Sequence, residues 1–170
     1  MFVDIAQIPA EGLDINFCED GDFLDPSGGR VSLLRPVEAL LHLSRSPAGV
    51  CVRGQVSSDL RLHCSRCNEL FTLPVREGFE VEYRKPPEAS VDGEYELGAD
   101  ELDISFLEEE KINVVGLVRE TVLLALPVQP LCHDDCRGLC PRCGANLNGG
   151  PCPCSTTHRD PRWGKLESLR

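Results

Sequence analysis

VCVRGQVSSDLRLHCSRC, residues 50–67, decides the fold. Val50, Val52, Gly54, Val56, Ser58, Leu60, Leu62 and Cys64 alternate with Cys51, Arg53, Gln55, Ser57, Asp59, Arg61 and His63. A period of two places one set on each face of a strand, so this is one long antiparallel strand with a buried face. Upstream, Val37, Ala39, Leu41 and Leu43 alternate with Glu38, Leu40, His42 and Ser44; downstream, Phe71, Leu73 and Val75 continue into Phe79, Val81 and Tyr83. Cys64 and Cys67 therefore fall at or near a hairpin tip, and residues 1–84 read as strands.

Residues 86–110 contain ten acids and no lysine or arginine, and begin Pro86-Pro87. Such a stretch cannot bury enough apolar surface to fold alone, so it reads as a solvated connection with a short strand around Leu102–Ser105. Asn113 can cap a helix over about 113–126 that Pro127 ends. Val114, Leu117, Val118, Thr121, Val122, Leu124 and Ala125 cover most of its circumference, which predicts burial against the sheet. The expected fold class is α+β: an antiparallel β-sheet packed by one main helix, with a C-terminal cysteine-rich zinc module. The expected division is a β-rich acidic body, 1–131, and a zinc-knuckle tail with a short C-terminal helix, 132–170.

Eight of the ten cysteines form four close pairs: Cys64 with Cys67, Cys132 with Cys136, Cys140 with Cys143, and Cys152 with Cys154. Two thiolates separated by two residues can turn back onto one ion, and eight thiolates suit two closed tetrahedral Zn²⁺ sites. The tail has too little apolar surface to fold by burial, so metal must supply much of its folding free energy. Gly144 after Cys143, and Asn68 after Cys67, can take the left-handed backbone that turns N–H groups toward sulfur. The short Gly-rich loop between Cys143 and Cys152 groups Cys140, Cys143, Cys152 and Cys154; Cys64, Cys67, Cys132 and Cys136 then form the other site. The rival pairing joins Cys64/Cys67 to Cys140/Cys143, as in a zinc ribbon. Cys18 and Cys51 have no close partner and read as buried or incidental thiols rather than ligands, and His133 and His158 as spare to a complete set of eight.

MFVDIAQIPAEG, residues 1–12, has no basic n-region and no apolar h-region, and no run is long enough to span a bilayer. A cytoplasmic location with reduced thiols is expected, which argues against a disulfide framework. A thioredoxin-like redox pair should open a helix, whereas Cys64-Ser-Arg-Cys67 lies between strands. The net charge of −11 is uneven: residues 132–170 hold six basic against four acidic residues, leaving residues 1–131 at −13. An acidic body does not wrap a polyanion, so RNA contact must come from local basic patches, while the body suits a basic protein. No phosphate loop, nucleophile elbow or His-Glu-x-x-His is present.

Cys-x-Arg-Cys after a long strand, a helix ending Leu-Ala-Leu-Pro, then Pro-Leu-Cys-x3-Cys-x-Gly-Leu-Cys-x2-Cys-Gly-x-Asn-Leu-Asn, Cys-x-Cys, and Asp160-Pro161-Arg162-Trp163 with Leu166 and Leu169 resemble the YceD family. The likeness runs from about Arg30 to Arg170. It implies a non-enzymatic role in large ribosomal subunit biogenesis, supporting accumulation or processing of large-subunit ribosomal RNA, with that RNA or a basic large-subunit ribosomal protein as partner. It supplies no catalytic residue. The alternatives are a zinc-dependent RNA-processing or redox enzyme, which needs an open metal position or a low-pKa thiol, and a zinc-containing transcriptional adaptor. Candidate binding residues are Arg66, Arg137, Arg142, Arg159, Arg162 and Trp163. The arginines sit on or near metal-fixed turns and can meet phosphate at little ordering cost; the competing role is to balance thiolate charge. Trp163, Leu166 and Leu169, at helical spacing, are expected to dock on the protein's own core or on a partner.

Overall fold

The computed structural model describes residues 1–21, 23–24, 31–47, 49–85, 104–107 and 110–154. Among them the strands are β1 (Phe2–Asp4), β2 (Leu13–Glu19), β3 (Val31–Leu33), β4 (Val37–Ser46), β5 (Gly49–His63), β6 (Leu70–Arg84), β7 (Ile104–Phe106) and β8 (Lys111–Asn113), with helix α1 at Val114–Leu124. β5 is the spine of a six-stranded sheet in the order β2-β4-β5-β6-β7. It pairs with β6 from Gly49↔Arg84 to His63↔Leu70, and its other edge is shared by β4 and β3. The alternation explains this: Val50, Val52, Val56, Leu60, Leu62 and Cys64 are buried, while Arg53, Gln55, Arg61 and His63 are exposed.

The sheet is mixed, not purely antiparallel. β7 joins β6 in parallel, with Glu82↔Ile104 and Arg84↔Phe106 in register. Parallel neighbours need a crossover of a dozen or more residues, and residues 85–103 provide that length. The short strand expected around Leu102–Ser105 is found at Ile104–Phe106; Leu102 and Asp103 lie outside the described residues. A separate ladder pairs β1 with β8, which buries Ile112 and sets the start of the helix.

Asn113 accepts from the Gly116 amide at 3.0 Å, a side-chain cap on α1. Val114, Leu117, Val118 and Val122 make one buried stripe and join the core formed by Val37, Leu43, Val50, Val52, Val56 and Leu60. Each such side chain contributes about 1.5–3 kcal/mol by leaving water. Leu124 departs from the expected burial: it is 78% exposed. At 100° per residue Leu124 stands only about 20° from Leu117, on the edge of the buried stripe, and it is the last residue of α1, where the helix end leaves it open to solvent. Gly54 occupies an inward-facing position because the Phe79 ring lies across it; a Cβ there would sit 2.6 Å from Phe79 Cζ. The expected C-terminal helix falls in residues outside those described.

Candidate metal centres

The β5–β6 turn delivers Cys64 and Cys67 as the alternation predicts, both buried at the hairpin tip. Cys64 N–H donates to the Glu69 carbonyl at 2.9 Å, and Asn68 N–H to the Cys64 carbonyl at 2.9 Å. Cys140 repeats the pattern: its N–H donates to the Ala145 carbonyl at 2.8 Å, and Gly144 N–H to the Cys140 carbonyl at 2.9 Å. The fifth residue of each turn is left-handed, Asn68 at φ 62° and Gly144 at φ 73°. Asparagine and glycine are the residues that tolerate this region. The two Cys-x-x-Cys pairs are thus the same local object in two settings.

The sulfurs fall into two groups, Cys64, Cys67, Cys132 and Cys136 in one, and Cys140, Cys143, Cys152 and Cys154 in the other, with all ligand atoms of a group within 4.8 Å of one another. The zinc-ribbon pairing is not adopted. Cys64 and Cys136 sulfurs are 3.7 Å apart, as are those of Cys67 and Cys132. A disulfide requires about 2.05 Å. A tetrahedron of thiolates around an ion, with metal–sulfur bonds of about 2.3 Å, gives sulfur–sulfur edges of about 3.8 Å. The arrangement therefore fits a closed four-thiolate metal site twice over.

Electrostatics point the same way. Burial works to raise the Cys64 thiol, but amides of Cys67, Cys132 and Arg66 outweigh it and hold the pKa at about 6. Cys140 is also held at about 6, by the amides of Cys143 and Arg142 and by the Cys152 thiol. Their neighbours go the other way: burial and adjacent thiols push Cys132 up to about 12, and the Cys143 side chain with burial pushes Cys154 up to about 12. In the first group the Cys136 thiol is held low as well, chiefly by the Asn148 side chain, and in both groups the raised thiols resist further negative charge. A divalent cation removes that resistance.

The first group is held from both sides of the chain. Ser65 N–H donates to the Pro130 carbonyl at 2.8 Å, and Arg66 donates through Nη1 to the carbonyls of Cys136 at 3.0 Å and Asp134 at 3.3 Å. The Arg66 guanidinium thus straps the hairpin tip to the returning chain. Gly138, buried at φ 72°, packs under Arg66; a Cβ there would be 3.0 Å from the Arg66 carbonyl oxygen. Asn148 Nδ2 donates to the Cys136 sulfur at 3.3 Å, while its Oδ1 accepts from Arg137 N–H at 2.8 Å. Asn146 links the turns by donating to Glu69 Oε1 at 3.3 Å. The roles of Gly138, Asn146 and Asn148 escape a reading based on ligand spacing. The Gly-x-Asn-Leu-Asn segment after Cys143 was the signal for Asn146 and Asn148, since asparagines beside thiolates can both cap turns and donate to sulfur.

Arg137 and Arg142 are exposed beside the two groups. His133 Nδ1 lies 3.1 Å from the Cys132 sulfur, outside the four-thiolate set. Cys18 is exposed; Cys51 is directed toward Glu80, 3.4 Å away, and burial raises its thiol. Arg159, Arg162, Trp163 and His158 lie outside the described residues. No helix among the described residues is long and apolar enough to cross a membrane.

Residues 52–170 match the model of the family described as large ribosomal RNA subunit accumulation protein YceD. An uncharacterized protein of Mycobacterium tuberculosis is 34% identical over 136 residues, 76% of this chain and 59% of the relative. The large ribosomal RNA subunit accumulation protein YceD of Haemophilus influenzae is 34% identical over 102 residues, 59% of this chain and 56% of the relative. The chloroplastic YCED homolog 1 of Arabidopsis thaliana is 26% identical over 156 residues, 79% of this chain and 49% of the relative. The chain thus spans about half to three-fifths of the length of these relatives. No solved structure matches it. The matched residues include the β5–β6 hairpin and both thiolate groups, and the chain belongs to the YceD family.

Proposed function

We propose that this chain is a non-enzymatic factor that supports accumulation of large-subunit ribosomal RNA, with Zn²⁺ in both thiolate groups and its basic turns as the contact surface. One observation carries the reading: the family match spans both four-thiolate groups, and four thiolates leave a metal no open position for substrate or water. Soft, tetrahedral, all-sulfur sites select zinc or iron, and a purely structural role suits redox-inert zinc. Zn²⁺ here would fix the hairpin tip against the returning chain and hold Arg137 and Arg142 on rigid turns. Those two residues, with Arg159, Arg162 and Trp163, are the proposed contacts to RNA or to a basic large-subunit ribosomal protein in the cytoplasm. Arg66 serves better as a strap, because its guanidinium is already engaged by two carbonyls.

The test is co-sedimentation of the metal-loaded chain with large-subunit precursor particles. Arg137→Gln with Arg142→Gln should reduce association severalfold and flatten its salt dependence while metal content stays unchanged. Unchanged association would move the contact to the acidic body. Bound metal with a water ligand, or thiol-dependent turnover of RNA, would favour the enzymatic alternative.

A further inference from the structure

Residues 1–131 are acidic as a whole, but the acid is unevenly spread among them. Residues 31–84, which carry β3 to β6, hold seven arginines against six carboxylates, so the excess of acid lies before and after them. The sheet face turned away from the core shows where this balance tips. Its positions line up across the strands: His42, Arg53 and Glu80 form one row, and Ser57 with Arg76, Asp59 with Pro74, and Arg61 with Thr72 form successive rows toward the hairpin tip. Far from the tip, cations are matched one for one. His42 meets Asp14 at 2.7 Å, Arg53 meets Glu80 at 2.8 Å and Arg84 meets Glu82 at 2.6 Å. Toward the tip a single carboxylate is shared, because Asp59 takes both Arg76 at 3.4 Å and Arg35 at 3.6 Å. Arg61, between Ser32 and Thr72, is exposed and has no ion pair among the described residues.

We propose that this end of the open face receives the phosphates of a double-helical segment of RNA, with Arg35, Arg61 and Arg76 as the contacts. The proposal rests on the reading that the chain serves ribosomal RNA, and it adds a second surface to the arginine turns of the tail. Arg76 is already oriented: its Nη1 donates to the carbonyls of Ser58 at 2.8 Å and Val75 at 2.6 Å, so little further ordering is needed on binding. Arg61 lies four residues along β5 from Ser57, the partner of Arg76, which separates the two arginines by about 14 Å of sheet. A repeating anion can meet cations spread over a flat area, whereas a lone acidic side chain meets one of them. Toward the tip none of the open-face positions on β5 and β6 is Phe, Tyr or Trp, so there is no platform for unstacked bases. Contacts from such a face go to phosphate and sugar, which an RNA double helix displays across its wide, shallow groove.

The metal-loaded full chain is titrated into a short fluorescein-labelled RNA duplex of arbitrary sequence, with anisotropy read over a series of salt concentrations. Arg61→Gln should weaken binding severalfold and lower the slope of log affinity against log salt by about one, the share of one phosphate contact. Arg53→Gln makes the same change in net charge at a matched position and should leave the slope unchanged. Asp59→Asn releases Arg35 and Arg76 and should tighten binding. Metal content and thermal denaturation confirm folding of all three variants. Equal effects of Arg61→Gln and Arg53→Gln overturn the proposal, since net charge alone then governs binding, and so does a folded Asp59→Asn that fails to bind more tightly. Loss of association with precursor particles in Arg61→Gln at unchanged duplex affinity also overturns it, assigning the face to an acidic protein. If Arg61→Gln binds like wild type while Arg137→Gln with Arg142→Gln is weakened, this surface is wrong and the proposed function stands. A wild-type chain that associates with neither RNA nor precursor particles removes both.

Discussion

The two thiolate groups share one turn geometry and differ in almost everything around it. Cys64 and Cys67 sit on a hairpin of two 15-residue strands, and their partners Cys132 and Cys136 come from beyond the helix, 65 or more residues away. Three of these four are buried. Cys140, Cys143, Cys152 and Cys154 lie within one short stretch, with Cys143 exposed and only Cys140 buried. Closing a long loop removes more chain entropy than closing a short one, although the cost grows only as the logarithm of length. The same turn is therefore a tether in one setting and a local staple in the other. The difference lies in what the second pair of ligands is attached to.

The largest expected effect is that of removing metal from both. A strong chelator should erase amide protection from about residue 131 to residue 154 while Val50–Leu62 stays protected, because the sheet has its own buried core and none of the described residues 131–154 belongs to it. The more exposed second group should release its ion first, giving two resolved steps in a chelator titration. Uniform loss of protection along the chain would mean that the tether and the sheet form one cooperative unit.

Single-ligand substitutions separate the two roles. Cys64→Ser should cost on the order of 3 kcal/mol and detach the whole returning segment, since it removes one ligand of a site whose metal energy is folding energy. Cys152→Ser should cost about 1 kcal/mol and loosen only residues 140–154. Urea denaturation combined with hydrogen exchange measures both. Equal costs would show that the second group is as strongly coupled to the sheet as the first.

The glycines give a finer comparison. Gly138 and Gly144 have nearly the same backbone, φ 72° and 73°. A Cβ on Gly144 meets nothing within 4 Å, whereas one on Gly138 meets the Arg66 carbonyl at 3.0 Å. Gly144→Ala should therefore cost only the left-handed penalty of about 1 kcal/mol, and Gly138→Ala about 1 kcal/mol more, with weaker metal retention at the first group. Matching losses by thermal denaturation would show that the Arg66 loop yields freely.

Much of this was legible in the sequence, for identifiable reasons. β5 and β6 were legible because one face meets a core and the other meets water, which writes a period of two into Val50–Cys64 and Phe71–Tyr83. The helix was legible from Asn113 and Pro127, and the grouping of thiols from the short loop between Cys143 and Cys152. What escaped was set by tertiary packing. β7 has only three residues and its parallel direction depends on where the connection re-enters the sheet. Leu124 is apolar and stands on the edge of the buried stripe, but as the last residue of α1 it is left open to solvent. The strap that Arg66 makes escaped as well, because the carbonyls of Asp134 and Cys136 that it meets are brought there by the returning chain.

The smallest expected effect concerns a donor rather than a ligand. At the first group the Asn148 amide is the main cause holding the Cys136 thiol below its ordinary range, ahead of the Gly138 amide, with burial opposing both. At the second, Cys140 is held chiefly by backbone amides, which no substitution of a side chain can delete. Asn148→Ala should thus weaken metal binding at the first group about tenfold, the low end for loss of an outer partner to a ligand, and leave the second unchanged. Asn148→Asp keeps an acceptor for the Arg137 N–H but places a carboxylate against the Cys136 sulfur, so it should weaken the first group further. Competition against a chelating dye resolves the two affinities. If Asn148→Ala and Asn148→Asp bind metal alike, the asparagine acts only through the Arg137 turn, and the two groups differ in attachment but not in how their thiolates are stabilised.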